Sequence, residues 1–194
     1  MIAARAILDG GVIAFPTDTV YGLGASVWQP AAIAGLYAVK GRPDGKALPV
    51  LLADPDDWRL VAAALPETAR LLMAAFWPGG LTMVLPRRPE VPDIVGPLAP
   101  TVAMRVPAHG ALRRVLARTG PLASSSANRS GQPPLESALA VSDALGAGLA
   151  LVLDGGAVLP GLPSTVVDLT AAHPVILRHG VVPADEIARV LAGA

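Results

Sequence analysis

Lys40-Gly41-Arg42-Pro43-Asp44-Gly45-Lys46 gathers three cations into one short segment and contains the only lysines of the chain. A folded domain rarely needs such a concentration of charge. A polyanionic ligand does. Lysine is a flexible point charge and arginine a planar fork, and together they suit phosphate oxygens. Pro43 disfavours the helical region for Arg42, so the segment is expected to be extended. Lys40 and Arg42 then point to one side. Gly41 has no side chain to hold a ligand off the backbone. Asp44-Gly45 is a turn signal that can bring Lys46 back toward the pair. A solvated basic loop following a helix has the same spacing.

Other polar groups join this segment. Thr17-Asp18-Thr19 and Ser124-Ser125-Ser126-Ala127-Asn128 are hydroxyl-rich stretches. Each has an ordinary structural reading, an Asx turn for the first and a helix-capping loop for the second. Arg105 is harder to dismiss. In Thr101-Val102-Ala103-Met104-Arg105-Val106, a strand by pattern, Val102, Met104 and Val106 share one face, and Thr101, Ala103 and Arg105 share the other. A mid-strand charge is costly without a partner, so that face is expected to look onto a cleft, an edge or a buried ion pair. Together these parts could hold a phosphate and a small zwitterion.

Several familiar chemistries are missing. The lysine of Gly41–Lys46 is followed by Ala47, and the glycine spacing is too short for a P-loop. There is no Gly-x-Ser-x-Gly elbow. His109, His173 and His179 lack metal-ligand spacing. Cysteine is absent, which removes disulfides and thiolate chemistry.

The elements that must position these groups alternate. Helices are expected over 1–9, from Pro30 to about Val39, from the capping Asp54 onward, over about 66–77, after Pro107, over about 136–145, and in a last segment that begins with Asp185 and Glu186. Strands are expected at Val12–Phe15, Leu48–Ala53, Leu81–Leu85, Thr101–Val106, Leu149–Leu153, Ser164–Leu169 and Val175–Arg178, the last two as an antiparallel pair. Pro89, Pro92, Pro97 and Pro100 mark an irregular connection. About seven strands interleaved with helices argue for an α/β layered fold with a mixed sheet.

The chain has 194 residues, 53% of them hydrophobic and 15% charged, with formal net charge zero. That is a compact composition, sized for one domain. Zero net charge argues against a broad nucleic-acid coat, though not against a local basic cleft. No apolar run reaches the length of a spanning helix, and Arg5 and Asp9 interrupt what would be a signal core. Cytoplasm, with no membrane partner, is the expected setting.

These residues resemble the YrdC/Sua5/TsaC family, the L-threonylcarbamoyladenylate synthases. The matching segments are Phe15-Pro16-Thr17-Asp18-Thr19-Val20-Tyr21-Gly22-Leu23, Lys40-Gly41-Arg42-Pro43, Trp77-Pro78-Gly79-Gly80-Leu81-Thr82, Arg105-Val106-Pro107, Ser124-x-Ser126-Ala127-Asn128-x-Ser130-Gly131, Pro163-Ser164-Thr165-Val166-Val167-Asp168 and Leu177-Arg178-x-Gly180. The resemblance implies a three-layer α/β fold with a twisted mixed sheet around a positively charged cavity, in the short, single-domain form. It implies synthesis of threonylcarbamoyl-AMP and pyrophosphate from L-threonine, bicarbonate and ATP. The product would feed N6-threonylcarbamoyladenosine formation at position 37 of tRNAs reading ANN codons, through a downstream threonylcarbamoyl transferase.

Carried over by position, the resemblance puts Thr19, Arg105, Ser124 and Ser164 near threonine. It puts Lys40, Arg42, Lys46, Thr101, Ser126, Asn128 and Arg178 around ATP, with Lys40 and Arg42 as catalytic cations. Mg²⁺ would be held mainly through ATP phosphates, with no protein metal site. At one position some members have a threonine-contacting histidine, and this chain has Leu51. A second reading of the same fold is a module for double-stranded RNA, tRNA or ribosome maturation. A third, the carbamoyl-transfer domain of hydrogenase maturation proteins, is disfavoured, since those chains carry further zinc-finger and acylphosphatase domains.

Overall fold

The computed structural model describes residues 1–43, 46–92, 100–158 and 161–193. The chain opens with helix α1 (Ile2–Leu8), strand β1 (Ile13–Phe15), strand β2 (Gly22–Ser26) and helix α2 (Pro30–Lys40). Strand β3 (Val50–Leu51), helix α3 (Glu67–Phe76), strand β4 (Leu81–Pro86), strand β5 (Thr101–Arg105) and helix α4 (Gly110–Thr119) follow. Strand β6 (Leu122–Ser126), helix α5 (Ala138–Leu145), strands β7 (Leu151–Val152), β8 (Thr165–Asp168) and β9 (Val175–Arg178), and helix α6 (Ala184–Ala192) complete it.

All nine strands belong to one mixed sheet in the order β7-β1-β2-β6-β3-β5-β4-β8-β9. The expected count of about seven is therefore two short. The additional strands are β2, Gly-Leu-Gly-Ala-Ser just after the Thr17-Asp18-Thr19 stretch, and β6, Leu-Ala-Ser-Ser-Ser, which overlaps the second hydroxyl-rich stretch. Small residues have weak strand preference of their own. Here the pairing partner supplies it: β2 and β6 run antiparallel to each other over five residue pairs, Gly22 opposite Ser126 through Ser26 opposite Leu122.

Helices cover the two faces unequally. Residues of α2, α3, α5 and α6 join one face in the larger core, among them Ile33, Leu36, Leu72, Val141 and Ile187. On the other face, α1 and α4 bury Ile7, Leu112 and Leu116 against Ile13, Phe15, Leu51 and Leu122. Glycine is required in β2 by close approach: a Cβ on Gly24 would sit 2.6 Å from the Phe15 ring, and one on Gly22 would sit 2.9 Å from it. Beyond Phe15 and Leu122, no helix among the described residues covers the second face, and the cavity opens there.

Two local expectations change. Asp54 does cap a helical start, with a complete capping box to Asp57, but the element is a 3-10 helix, Pro55–Leu60, and it buries no residue. Lys40 is not part of an extended segment. It is the last residue of α2, and Gly41 is a left-handed C-cap at φ 58°. Gly41 is thus needed for its backbone conformation. The Asp44-Gly45 turn and Pro97 lie outside the described residues. No helix among those described is long and apolar enough to cross a membrane.

Candidate active site

The cavity measures about 680 Å³, within the usual range for small-molecule sites. Arg42, Arg105 and Arg178 line it, with the hydroxyls of Thr17, Thr19, Thr82, Thr101, Ser124, Ser125, Ser126 and Ser164. No Asp or Glu does so among the described residues. Leu51, Val84, Ala103, Val166 and Leu177 give it an apolar side.

Arg105 is 5% exposed and is fixed at three points. Nε donates to the Gly79 carbonyl at 2.8 Å, Nη1 to Thr19 Oγ1 at 3.0 Å, and Nη2 to Asp18 Oδ1 at 2.5 Å. The strand charge thus has both a cleft and an ion pair. Guanidinium carries five N–H groups, so two remain for a ligand. Asp18 lines an adjoining hollow of about 340 Å³. In the sequence its stretch reads as an Asx turn. Its signal was the demand of Arg105 for an acid.

Thr19 is held in turn by Thr17, whose hydroxyl lies 3.0 Å from its own and accepts from the backbone N–H of Thr19 and of Val20 at 3.1 Å. On the opposite wall, Ser164 Oγ lies 2.8 Å from Thr82 Oγ1 and accepts from Arg178 Nη2 at 2.9 Å. Ser124, Ser126 and Thr101 reach the cavity from β6 and β5. Leu51 lines it at the expected departure position.

Lys40 stands behind the wall. Its Nζ, with three N–H groups to give, is within hydrogen-bond reach of four oxygens: the Ser126 carbonyl at 2.6 Å, Ser126 Oγ at 3.2 Å, the Asn128 carbonyl at 3.0 Å and Asn128 Oδ1 at 3.0 Å. Asn128 completes the brace by donating to the carbonyls of Arg129 and Gln132 at 2.8 and 2.6 Å. Neither Lys40 nor Asn128 is among the cavity-lining residues. Arg42 is: its Nη2 donates to the Ala47 carbonyl at 3.0 Å, and its buried Nε has no partner. Lys46 is exposed and does not line the cavity. Of the expected site residues, Thr19, Arg42, Thr101, Arg105, Ser124, Ser126, Ser164 and Arg178 are brought together. His109 is a helix cap, accepting at Nδ1 from the Leu112 N–H at 3.2 Å.

The electrostatics share one sign. Burial, then the Arg42 charge, lowers the Lys40 ammonium to about 8. Burial also lowers Arg105, partly offset by Asp18. Arg178 is lowered by desolvation and then by the charge of Arg105. Cations that disfavour their own charged forms are relieved by an anion placed among them.

The model of a family described as "Telomere recombination", Sua5/YciO/YrdC, matches residues 5–180. The chain belongs to the Sua5/YciO/YrdC family. Among its relatives, the threonylcarbamoyl-AMP synthase of Pyrococcus abyssi is 41% identical over 191 residues, covering 98% of this chain and 56% of that protein. The threonylcarbamoyl-AMP synthase of Stutzerimonas stutzeri is 36% identical over 171 residues, covering 88% of this chain and 92% of that protein. The chain therefore spans little more than half of the first relative and nearly all of the second. Among solved structures, P. abyssi Sua5 complexed with L-threonine superposes with a TM-score of 0.94 at 40% identity, covering 98% of this chain and 56% of that one. Escherichia coli YciO gives a TM-score of 0.86 at 28% identity, covering 95% of this chain and 90% of that one. The nine-stranded sheet is thus the Sua5/YciO/YrdC fold.

Proposed function

We propose that this chain is an L-threonylcarbamoyladenylate synthase. One observation carries the reading: three arginines converge on a hydroxyl-lined cavity that no carboxylate lines among the described residues. The likeness to a Sua5 solved with L-threonine supports threonine as a substrate of that cavity. The threonine nitrogen takes up the carbon of bicarbonate with loss of water. An oxygen of the resulting N-carboxylate then bonds the α-phosphorus of ATP as the bond to pyrophosphate breaks.

Every step crowds anions together, and fixed cations in a partly dry cavity offset that crowding best. Arg105 holds the threonine carboxylate with its two remaining N–H groups, in a geometry set beforehand by Asp18, Thr19 and Gly79. Thr19, Ser124 and Ser164 present hydroxyls to the amino acid. Arg42, Thr101, Ser126 and Arg178 face the triphosphate. Lys40 and Asn128 act on it through Ser126, whose carbonyl and hydroxyl they hold. Lys46 has no part in the wall and meets the nucleotide at most from outside. The lining offers no acidic cage for Mg²⁺, so the ion would arrive on the phosphates, and no step is assigned to it.

In this reading the product passes to a threonylcarbamoyl transferase acting on adenosine 37 of tRNA, and the reaction is cytoplasmic. A double-stranded RNA module is not favoured, because the cations are concentrated in a cavity of small-molecule size rather than spread over a face. The test is incubation of the pure protein with ATP, Mg²⁺, bicarbonate and each amino acid in turn, with the adenylate identified by mass. Threonylcarbamoyl-AMP is expected with threonine. Arg42→Ala should lower threonine-dependent pyrophosphate release at least about 100-fold while the fold persists. Absence of any threonine-dependent adenylate from the wild-type protein refutes the proposal.

A further inference from the structure

Thr82 lies on β4, and Ser164 directly precedes the neighbouring parallel strand β8. Thr82 is 2% exposed and Ser164 6%, and both line the cavity. Their oxygens are 2.8 Å apart. Arg178 approaches Ser164 twice, donating from Nη2 to the hydroxyl at 2.9 Å and from Nε to the carbonyl at 3.0 Å.

The proton count of this cluster is closed. Two hydroxyls carry two protons and four lone pairs. Whichever way the bond between them runs, it uses one proton. Arg178 is a donor only and cannot accept the other. One hydroxyl proton therefore faces the cavity with no protein acceptor among the hydrogen bonds of the described residues. A buried donor left in that state costs about 1–3 kcal/mol. If Thr82 donates, Ser164 Oγ accepts from two sides and its own proton has one direction left, into the cavity.

We infer that Thr82 and Ser164, clamped by Arg178, form a subsite that offers one hydroxyl proton to a ligand oxygen, with Thr82 as the positioning residue that aims the Ser164 hydroxyl. A neutral ligand hydroxyl can accept that proton too, but it is the weaker group for the site. A carboxylate or a phosphoryl oxygen is the right one, and the Arg178 charge beside it favours either.

The choice of probes rests on the proposed function; the hydrogen-bond polarity does not. The experiment is calorimetric binding of L-threonine, and separately of inorganic pyrophosphate, to the wild-type chain, Thr82→Val and Thr82→Ser. Valine keeps the shape and removes the hydroxyl; serine restores it. Thr82→Val is expected to weaken one probe on the order of tenfold, the scale of one hydrogen bond to a charged group. Thr82→Ser should return that affinity to within about twofold. A loss confined to L-threonine places the accepting oxygen on the amino acid, and a loss confined to pyrophosphate identifies it as a phosphoryl group. Unchanged affinity for both probes in Thr82→Val overturns the inference. So does a Thr82→Ser variant as weak as Thr82→Val, which would mean that the site feels packing and not the hydroxyl. Binding needs no turnover, so a wild-type protein that binds and makes no adenylate refutes the synthase and leaves this subsite standing.

Discussion

Replacing Asp18 with asparagine should weaken the fold and tighten the hold on anions at the same time. In the Arg105–Asp18 pair the arginine side chain is 6% exposed and the carboxylate 19%. Removing one partner of a fully buried pair costs about 3–5 kcal/mol, because the other charge is left alone. Three features reduce that figure here. The asparagine oxygen still accepts from Nη2, Gly79 and Thr19 keep their bonds to Arg105, and solvent reaches the Asp18 side. The expected loss is about 2 kcal/mol, a fall of about 4–8 °C in Tm for a chain of this size. Removing the carboxylate also raises the positive potential of the cavity. One unit charge several ångströms away in a medium of effective dielectric ~20 is worth on the order of 1–2 kcal/mol, so inorganic pyrophosphate should bind up to about tenfold tighter. Thermal unfolding gives the first quantity and calorimetric titration the second. An unchanged Tm, or weaker pyrophosphate binding, would refute the view that Asp18 serves as the resting counter-ion of Arg105.

Lys40→Met should destabilise the chain by about 2–4 kcal/mol in denaturant unfolding, since several buried oxygens at Ser126 and Asn128 lose their donor. The same comparison has a pH signature. The Lys40 ammonium titrates at about 8 in the folded chain against an ordinary 10.5, so the folded state is the first to release the proton. The penalty on the charged form is fully present below pH 8, and wild-type stability should rise relative to Lys40→Met between pH 8 and 10.5. A flat difference over that range would count against the assignment. Gly24→Ala should cost about 1–3 kcal/mol by forcing the Phe15 ring aside, measurable as a lowered denaturant midpoint.

Much of the frame was readable because apolar spacing announces it. Leu112, Val115 and Leu116 predict the buried stripe of α4, and all three are buried. Asp54 shows where local signals stop: the cap forms, but of the turn it opens only Trp58 packs against the core, too narrow an apolar stripe to extend it into an α-helix. β2 and β6 were illegible for the opposite reason. Glycine, alanine and serine carry no strand preference, and only the registered partner makes strands of them. At the site, Arg105 declared that it needed an acid, but Asp18 lies 87 residues away, and no local pattern spans that distance. Lys40 was legible as a cation with a purpose. That its purpose is to brace Ser126 and Asn128 from the end of a helix follows only from where α2 stops.

The triple grip of Arg105 has a consequence for how this chain can drift over generations. One guanidinium joins the loop at Asp18 and Thr19, the turn at Gly79 and the end of β5, and the same group looks into the cavity. A substitution there cannot be silent in one respect and harmful in another, since it unfastens the scaffold in the act of blunting the chemistry.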